Sequence, residues 1–235
     1  MTQPQSRTLA AALVLIAACF APGSRSEADQ VASNALRIGF YDVFYHASAG
    51  DIGGPYVPTG LNITVKDVQT LYFAYIRRLS PRWELELAFG VPPTTHTYGK
   101  GPATVGSVPY NGVELSTAKW FAPTVLVNYK LLDETFPVRP YIGAGISYVY
   151  FYDRQSTPGG NAVSGGPTSL SLPSSIGPAA TVGVGWQVAR HCTINASYSF
   201  TQVKTELSAN TDGIIRQTHV SFGPQALVIA VGYQF

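Results

Sequence analysis

The residues that could perform catalysis or bind a metal are few and scattered in this chain. A hydrolytic triad could be drawn from His46, Ser48 and Asp51, which lie close together in a polar stretch. Side chains of these types are common in loops, and they catalyse acyl transfer only where the fold brings them into hydrogen-bond contact. His96 and His191 have no metal-ligand spacing such as His-Glu-x-x-His, and neither does His219. No catalytic site, metal site or cofactor is therefore predicted.

Charged side chains at the ends of apolar segments are the second candidates for chemistry. Glu84 and Glu86 alternate with leucines, and Arg37, Lys130 and Arg139 fall at corresponding ends of other segments. If all five point into one interior, charges of both signs meet at one level. Because unpaired buried charges are costly, this arrangement favours a salt-bridged plug, with an ion path as the functional alternative.

The composition is poor in charge and rich in residues typical of strands. Hydrophobic residues make up 46% and charged residues 12%, with 14 Tyr, 11 Phe and 23 Gly. The net charge of +2, with no basic cluster larger than Arg77-Arg78, gives no indication of nucleic-acid binding. Beyond the N-terminus no apolar run reaches the roughly 18 residues of a membrane-spanning helix.

The N-terminus has the layout of a secretory signal peptide. Arg7 precedes an apolar stretch from Leu9 to Phe20, which is followed by small and polar residues. We therefore expect residues 1–28 to be removed and residues 29–235 to form a single domain. The stretch 16–19 also resembles a lipobox, which would make Cys19 a lipidated first residue.

Alternation of apolar and polar residues predicts eight strands in the remaining chain. The connections between them are alternately long and short, the pattern of an antiparallel barrel with long loops at one rim. The third long connection, about 153–175, has no periodicity and is predicted to be an irregular, mobile loop. The predicted strands span about 36–46, 63–76, 83–89, 114–131, 139–152, 177–188, 192–205 and 218–235.

The two faces of the predicted strands indicate which solvent surrounds them. In the sixth strand Val182, Val184 and Trp186 alternate with Thr181 and Gly183. A soluble lipocalin-type barrel would place its apolar residues inside, whereas small and polar opposite faces fit lipid outside. The sequence therefore predicts an all-β fold: a closed, eight-stranded antiparallel transmembrane β-barrel with short periplasmic turns and four longer extracellular loops.

The second strand does not reveal its inward face, because both of its faces are apolar or aromatic. An apolar stripe inside a polar lumen would form a hydrophobic pocket, while simple packing of a narrow barrel is the alternative. Tyr41 and Val43 of the first strand would lie at the same level. The inward set is either Leu71, Phe73 and Tyr75 or Tyr72, Ala74 and Ile76.

Several segments resemble the OmpW family of eight-stranded outer-membrane barrels. The resemblance is carried by Arg-Pro-Tyr-Ile-Gly-Ala-Gly at 139–145 and by the preceding segment 122–129. The Val-Gly repeat at 182–185 and the final segment 230–235 occur in the same order as in that family. The likeness extends over about 35–235.

This resemblance implies passive uptake of small hydrophobic molecules, with exit sideways through the barrel wall into the membrane. Alignment to the family favours Leu71, Phe73 and Tyr75 as inward residues and, with Tyr41 and Val43, as the solute-binding candidates. A structural or receptor protein, whose loops dock phage, toxin or host surfaces without transport, is the alternative.

The family resemblance also assigns expected roles outside the pocket. Pro92 and Pro93 would form the lateral gate, because proline can end ladder pairing, although the family usually shows Pro-Phe where this chain has Pro93-Thr94. Tyr233 and Phe235 would be the signal for outer-membrane assembly. The expected partners are outer-membrane lipid, a small hydrophobic solute and the assembly machinery, in the bacterial outer membrane.

Overall fold

The computed structural model describes residues 33–45, 48–49, 51–105 and 108–235. The predicted signal peptide, residues 1–28, lies outside the described residues, and so does His46. The elements are β1 (Asn34–Tyr45), β2 (Ser48–Ala49), β3 (Asn62–Val65), β4 (Val68–Arg78), β5 (Trp83–Gly90), β6 (Thr94–Lys100), β7 (Thr104–Val105), β8 (Val108–Pro109), β9 (Glu114–Phe121), β10 (Thr124–Lys130), β11 (Val138–Ser156), α1 (Pro158–Ser164), β12 (Thr168–Ser171), β13 (Ser175–Ala189), β14 (Cys192–Thr201), β15 (Val203–Thr211), β16 (Ile214–Phe222) and β17 (Pro224–Gln234).

Eight of these strands form a closed antiparallel barrel. Their order around the ring is β1, β4, β5, β10, β11, β13, β14 and β17, and β17 pairs again with β1. The pairing of β10 with β11, from Thr124 opposite Ser147 to Lys130 opposite Tyr141, closes the ring. Each barrel strand has a hydrogen-bonded neighbour on both sides, so no open edge faces the surroundings. The predicted closed eight-stranded barrel is confirmed.

The outer face of the barrel is apolar and the lumen is largely polar. On β13, Ile176, Val182 and Trp186 are more than half exposed, whereas Thr181 is only 8% exposed. This is the reverse of a soluble ligand-carrying barrel, whose apolar residues point inward. Within the described residues, no helix combines the length and the apolarity needed to cross a membrane.

Two glycines make room for the large groups that fill the lumen. A Cβ atom on Gly183 would lie 2.5 Å from Cζ of Tyr141. A Cβ atom on Gly143 would lie 1.9 Å from Oδ1 of Asn128. Both distances are far inside van der Waals contact, so these positions let Tyr141 and Asn128 occupy the barrel axis.

The long connections lie at one end of the barrel, which is called the upper end, and they form two larger sheets and the short two-stranded sheet of β7 and β8. One sheet contains β3, β6, β9 and the last part of β11, and it continues the barrel wall upward. The other contains β12, β15, β16 and β2. The predicted second, fourth, seventh and eighth strands are accordingly each split in two, with breaks at 66–67, 122–123, 202 and 223.

The prediction of an irregular loop over 153–175 is wrong. Strand β11 continues to Ser156, helix α1 follows, and β12 pairs with β15. The helix begins where Thr157 Oγ1 accepts a hydrogen bond from Gly160 N at 3.0 Å, with Pro158 in the first turn. These segments give little periodic signal, because β12 has only four residues and α1 is a short helix that contains Pro158 and two glycines.

The exposed apolar face should tolerate a larger apolar residue but not a charge. We expect Val182→Arg, in the middle of β13, to lower the free energy of unfolding by about 2–4 kcal/mol, because the guanidinium would face hydrocarbon. The measurement is denaturant unfolding in lipid vesicles, with Val182→Leu as the matched control. An unfolding free energy equal to that of the control would contradict a lipid-facing β13.

Candidate functional site

A network of buried charges closes the lower part of the lumen. Arg37 lies 3.2 Å from Glu86 and 3.6 Å from Glu84, and Lys130 forms an ion pair with Glu84. The side chains of Arg37, Glu84 and Glu86 are each less than a tenth exposed. The two positive and two negative charges balance. Of the five residues predicted for the plug, Arg139 pairs with neither carboxylate: its guanidinium donates to the carbonyl oxygens of Leu132 and Pro81.

The position of Arg139 has a simple physical reason. It is the second residue of β11, beside the short turn that precedes this strand. Its side chain therefore reaches the backbone carbonyls of two neighbouring turns before it can reach a carboxylate inside the lumen. Arg139 thus forms no ion pair with the carboxylates of the plug, and its membership of the plug stays a prediction.

Glu86 is the centre of the plug because it accepts hydrogen bonds from three directions. Besides the guanidinium of Arg37, its carboxylate accepts from the Tyr72 hydroxyl at 2.5 Å and from Asn128 Nδ2 at 2.6 Å. The Arg37 guanidinium in turn lies 5.8 Å from the centre of the Tyr141 ring. Such complete pairing is what allows a carboxylate to remain buried. Sequence reasoning named Tyr72 only in the alternative inward set of this strand, and it did not predict that Tyr72 and Asn128 join the plug, because neither side chain carries a charge.

The prediction that Leu71, Phe73 and Tyr75 face the lumen is wrong. Tyr75 is 39% exposed on the outer face, whereas Tyr72 is 6% exposed. The opposite set of β4 side chains is buried, and it consists of Tyr72, Ala74 and Ile76.

The strand register explains this orientation. Directly paired residues lie on the same face of a sheet. Arg37 pairs with Ala74, and Ile76 pairs with Glu86. Because both charges must face inward, their partners on β4 face inward too. The alternation of residues within β4 could not reveal which face points inward. Aligning β4 with the charged residues of β1 and β5 could have done so.

Above the plug lies an apolar chamber, here called the central cavity, with about 920 Å³ of space between atoms, open solvent at its mouth included. Tyr41 and Val43, both predicted as solute-binding residues, line it, and Val43 is 1% exposed. The remaining apolar lining comes from the barrel and from both upper sheets, and it includes Tyr45, Ile63, Trp120, Val149, Phe151, Leu172 and Val203. These side chains form one contiguous buried cluster with Val43 at its base.

A second chamber, here called the vestibule, lies above the central cavity. It is lined by residues of the upper sheets, α1 and the loops, among them Tyr110 and Arg216. The two chambers share the lining residues Ile63, Thr97, Ser116, Leu170 and Leu207. A solute entering from the upper end would therefore meet the vestibule first and the central cavity next.

The barrel wall beside the central cavity is interrupted at Pro92 and Pro93. Pairing of β4 with β5 ends at Tyr72 and Gly90, and pairing of β3 with β6 begins again at Val65 and Thr97. Residues 67–70 and 92–95 between them have no ladder pairing with one another; this region is called the lateral interruption. Proline lacks the backbone donor that a ladder needs.

A side-chain hydrogen bond partly replaces the missing ladder. Thr70 Oγ1 donates to the Val91 carbonyl at 2.6 Å across the interruption, whereas Asp67 Oδ1 accepts from the Tyr45 backbone N–H at 2.8 Å and so joins this segment to β1. On the inner side of the interruption Thr95 is buried and lines the central cavity. The interruption thus lies between the cavity and the outside of the barrel.

Other residues singled out in the sequence do not form a chemical site. His96 Nδ1 lies 2.7 Å from Glu114 Oε1 as an exposed pair on β6 and β9. In the part of the chain that the structure describes, no group of three His, Cys, Asp or Glu residues could hold a metal ion. Phe235 is 53% exposed, and its N–H donates to the Asn34 carbonyl. The assembly role of Tyr233 and Phe235 stays a prediction.

A closed eight-stranded barrel with an apolar outer belt, a plugged lumen and extended upper strands defines the class of outer-membrane β-barrels. The chain belongs to the OmpW family, whose model matches residues 32–235. The protein is therefore a component of the bacterial outer membrane, with its short turns on the periplasmic side.

Individual relatives agree with this assignment. Outer membrane protein W of Vibrio cholerae is 28% identical over 61% of this chain and 63% of its own length. The dibenzothiophene metabolism operon protein PahQ of Pseudomonas aeruginosa is 29% identical over 85% of this chain and 87% of its own. The crystal structure of OprG from Pseudomonas aeruginosa has a TM-score of 0.78 and 23% identity, and the match covers 87% of this chain and 96% of that one.

The buried plug should contribute more to stability than a comparable pair at the rim. Glu86→Leu would leave Arg37, Tyr72 and Asn128 without their shared acceptor, and we expect a loss of about 3–5 kcal/mol in unfolding free energy. Asp133→Asn removes one partner of the exposed pair with Arg82 and should cost much less, because solvent screens this pair. Equal losses in denaturant unfolding would show that the network around Glu86 does not stabilise the barrel.

Proposed function

We propose that the protein admits small hydrophobic molecules through the outer membrane by way of the central cavity and a lateral exit. The observation that carries this proposal is an apolar cavity, entered from the upper end, that lies directly above a charged floor. An apolar solute is favoured in such a chamber because its surface leaves water there. It is disfavoured among the ion pairs around Glu86, because it cannot form hydrogen bonds that would replace those of the buried charges.

The charge plug makes passage straight through the barrel unfavourable. An eight-stranded barrel is narrow enough to be filled by its own side chains, and here the filling is a fully paired charge cluster. Opening this path would separate buried ion pairs. A hydrophobic solute would also gain nothing by entering the aqueous periplasm, since the acyl phase lies just beyond the wall.

The lateral interruption offers the sideways exit. It adjoins the central cavity at Thr95, and along residues 67–70 and 92–95 the two strands are tied by a side-chain hydrogen bond from Thr70 rather than by a ladder. One such bond is weaker than a run of ladder bonds, so separation of the wall here is less costly than elsewhere in the barrel. Pro92 and Pro93 keep the ladder from forming.

A relative's name is consistent with an apolar solute. PahQ, which matches most of this chain, is named as a protein of a dibenzothiophene metabolism operon. Dibenzothiophene is a flat aromatic compound with almost no hydrogen-bonding capacity, which is the chemistry that the central cavity would accept. We extend the proposal to cleavage of residues 1–28 on export and to recognition of Tyr233 and Phe235 during assembly.

Filling the central cavity should block uptake. Ala118 lines the cavity, and Ala118→Phe would occupy its free space, so we expect entry of a small apolar compound to fall to the rate of cells lacking the protein. Ala144→Phe places the same side chain on the exposed outer face and should leave uptake unchanged. Sugar entry should be the same in all strains. Equal apolar entry with and without the protein would refute transport and leave the receptor role.

Restoring backbone donors at the lateral interruption should slow exit. Pro92→Ala combined with Pro93→Ala supplies two N–H groups where the ladder stops, and we expect apolar uptake to fall several-fold while solute binding in the cavity persists. Pro137→Ala, in a periplasmic turn, is the matched control. Unchanged uptake in the double variant, with binding also unchanged, would place the exit elsewhere.

A further inference from the structure

The vestibule contains a buried hydroxyl group that the fold does not use. Tyr110 is 5% exposed, lines the vestibule, and its hydroxyl group has no hydrogen-bond partner within the described structure. Burial raises the pKa of Tyr110 to about 12, so the phenol keeps its proton near neutral pH and can act as a donor. A buried donor without a partner is unfavourable unless something binds to it.

The charged lining of the vestibule is positive. Arg216 is its one charged side chain among the described residues, and the guanidinium Nη1 donates to the Ser164 carbonyl at 3.2 Å and to Thr211 Oγ1 at 3.5 Å. No carboxylate of the described chain lies within ion-pair distance of Arg216. Its charge is thus available to a ligand, and guanidinium groups bind carboxylates through two parallel hydrogen bonds.

The same sign continues into the central cavity. Its described lining contains one charged residue, Arg154, whose guanidinium donates to the Leu172 carbonyl at 2.9 Å. Neither chamber has an Asp or Glu side chain in its described lining. A solute that carries a negative charge would meet no like charge until the plug.

We propose that the vestibule recognises the carboxylate of a small apolar acid through Arg216 and through the Tyr110 hydroxyl group, which the ligand must first uncover, while the apolar body of the acid occupies the central cavity. This inference rests on the proposed function, because it uses the central cavity as the site for the apolar body. It deepens that function by naming the substrate class: amphiphiles with one anionic head and a hydrocarbon or aromatic body.

An amphiphile also suits the sideways exit. Its apolar body can enter the acyl chains through the lateral interruption while its head stays in water, as long charged side chains do at membrane interfaces. A solute of this kind need not bury its charge in hydrocarbon at any step.

The hydroxyl group of Tyr110 can be tested separately from its ring. The ring packs over the backbone at Gly99, where an added Cβ atom would lie 2.8 Å from Cε1 of Tyr110. Tyr110→Phe keeps this packing and removes only a hydroxyl group without a partner. If the hydroxyl group serves a ligand, the variant should fold as stably as the parent and yet bind the acid more weakly.

The experiment uses Trp120 as a reporter, because it lies 7% exposed in the central cavity. Trp83→Phe and Trp186→Phe remove the two outward-facing tryptophans, and the protein is placed in lipid nanodiscs. Quenching of Trp120 is titrated with ω-bromooctanoate and with bromooctane, which share a body and differ in the head. Quenching through the lipid is subtracted with the cavity-filling Ala118→Phe variant.

Both probes should quench Trp120. We expect Tyr110→Phe to weaken ω-bromooctanoate binding about fivefold and Arg216→Gln to weaken it more than about tenfold, with bromooctane unaffected. Arg190→Gln, in a periplasmic turn, removes the same charge far from the vestibule and should change neither probe.

The two possible failures are distinguishable. If both probes quench Trp120 but the Tyr110 and Arg216 variants bind ω-bromooctanoate as the parent does, recognition of acids is overturned and hydrophobic uptake stands. If neither probe quenches Trp120 beyond the Ala118→Phe baseline, the central cavity takes no apolar solute, and the proposed function fails together with this inference.

Discussion

Closure of the backbone hydrogen-bond ladder is the constraint on which the rest of this structure depends. In a hydrocarbon phase an unpaired N–H or C=O group costs several kcal/mol, so each of the eight barrel strands must pair on both sides. Closing the ring between β10 and β11 with so few strands leaves a lumen that side chains fill. Glycines such as Gly183 then become necessary, because a large residue like Tyr141 already occupies the space beside them.

A narrow, closed lumen determines how charge can be used inside it. Arg37, Glu84, Glu86 and Lys130 are held together at one level, where each charge has an opposite partner and Glu86 also accepts from neutral donors. A cluster of this kind resists separation because any one group left alone would be a buried, unpaired charge. The plug therefore divides the barrel into a closed lower half and an upper half that contains the two chambers. The central cavity belongs to this upper half, where the barrel strands continue into the two additional sheets.

The sequence was sufficient to predict the barrel, but not to predict every inward-facing side chain or the elements of the upper end. Strand β13 alternates Val182 and Trp186 with Thr181, and such alternation predicts both the strand and the lipid outside it. Strand β4 is apolar on both faces, so its orientation depends on register against Arg37 and Glu86, which alternation within one strand cannot supply. Helix α1 and short upper strands such as β12 were missed because segments of four to seven residues give too few repeats to show a period. The upper strands pair with extensions of the barrel strands, and inward side chains such as Ile63 and Val203 join the apolar cluster of the central cavity.

The lateral interruption shows how the closure constraint can be relaxed locally. Unpaired backbone groups are tolerated at membrane depth only where protein or water satisfies them. Here Thr70 supplies a donor to the Val91 carbonyl, and Pro92 and Pro93 have no N–H to satisfy. This side chain thus compensates in part for the ladder beside the cavity where the two prolines remove it. Because the replacement bond comes from a rotatable side chain rather than from the backbone, it can break and reform without displacing the strands. That property is what a passage through the wall of a closed barrel requires.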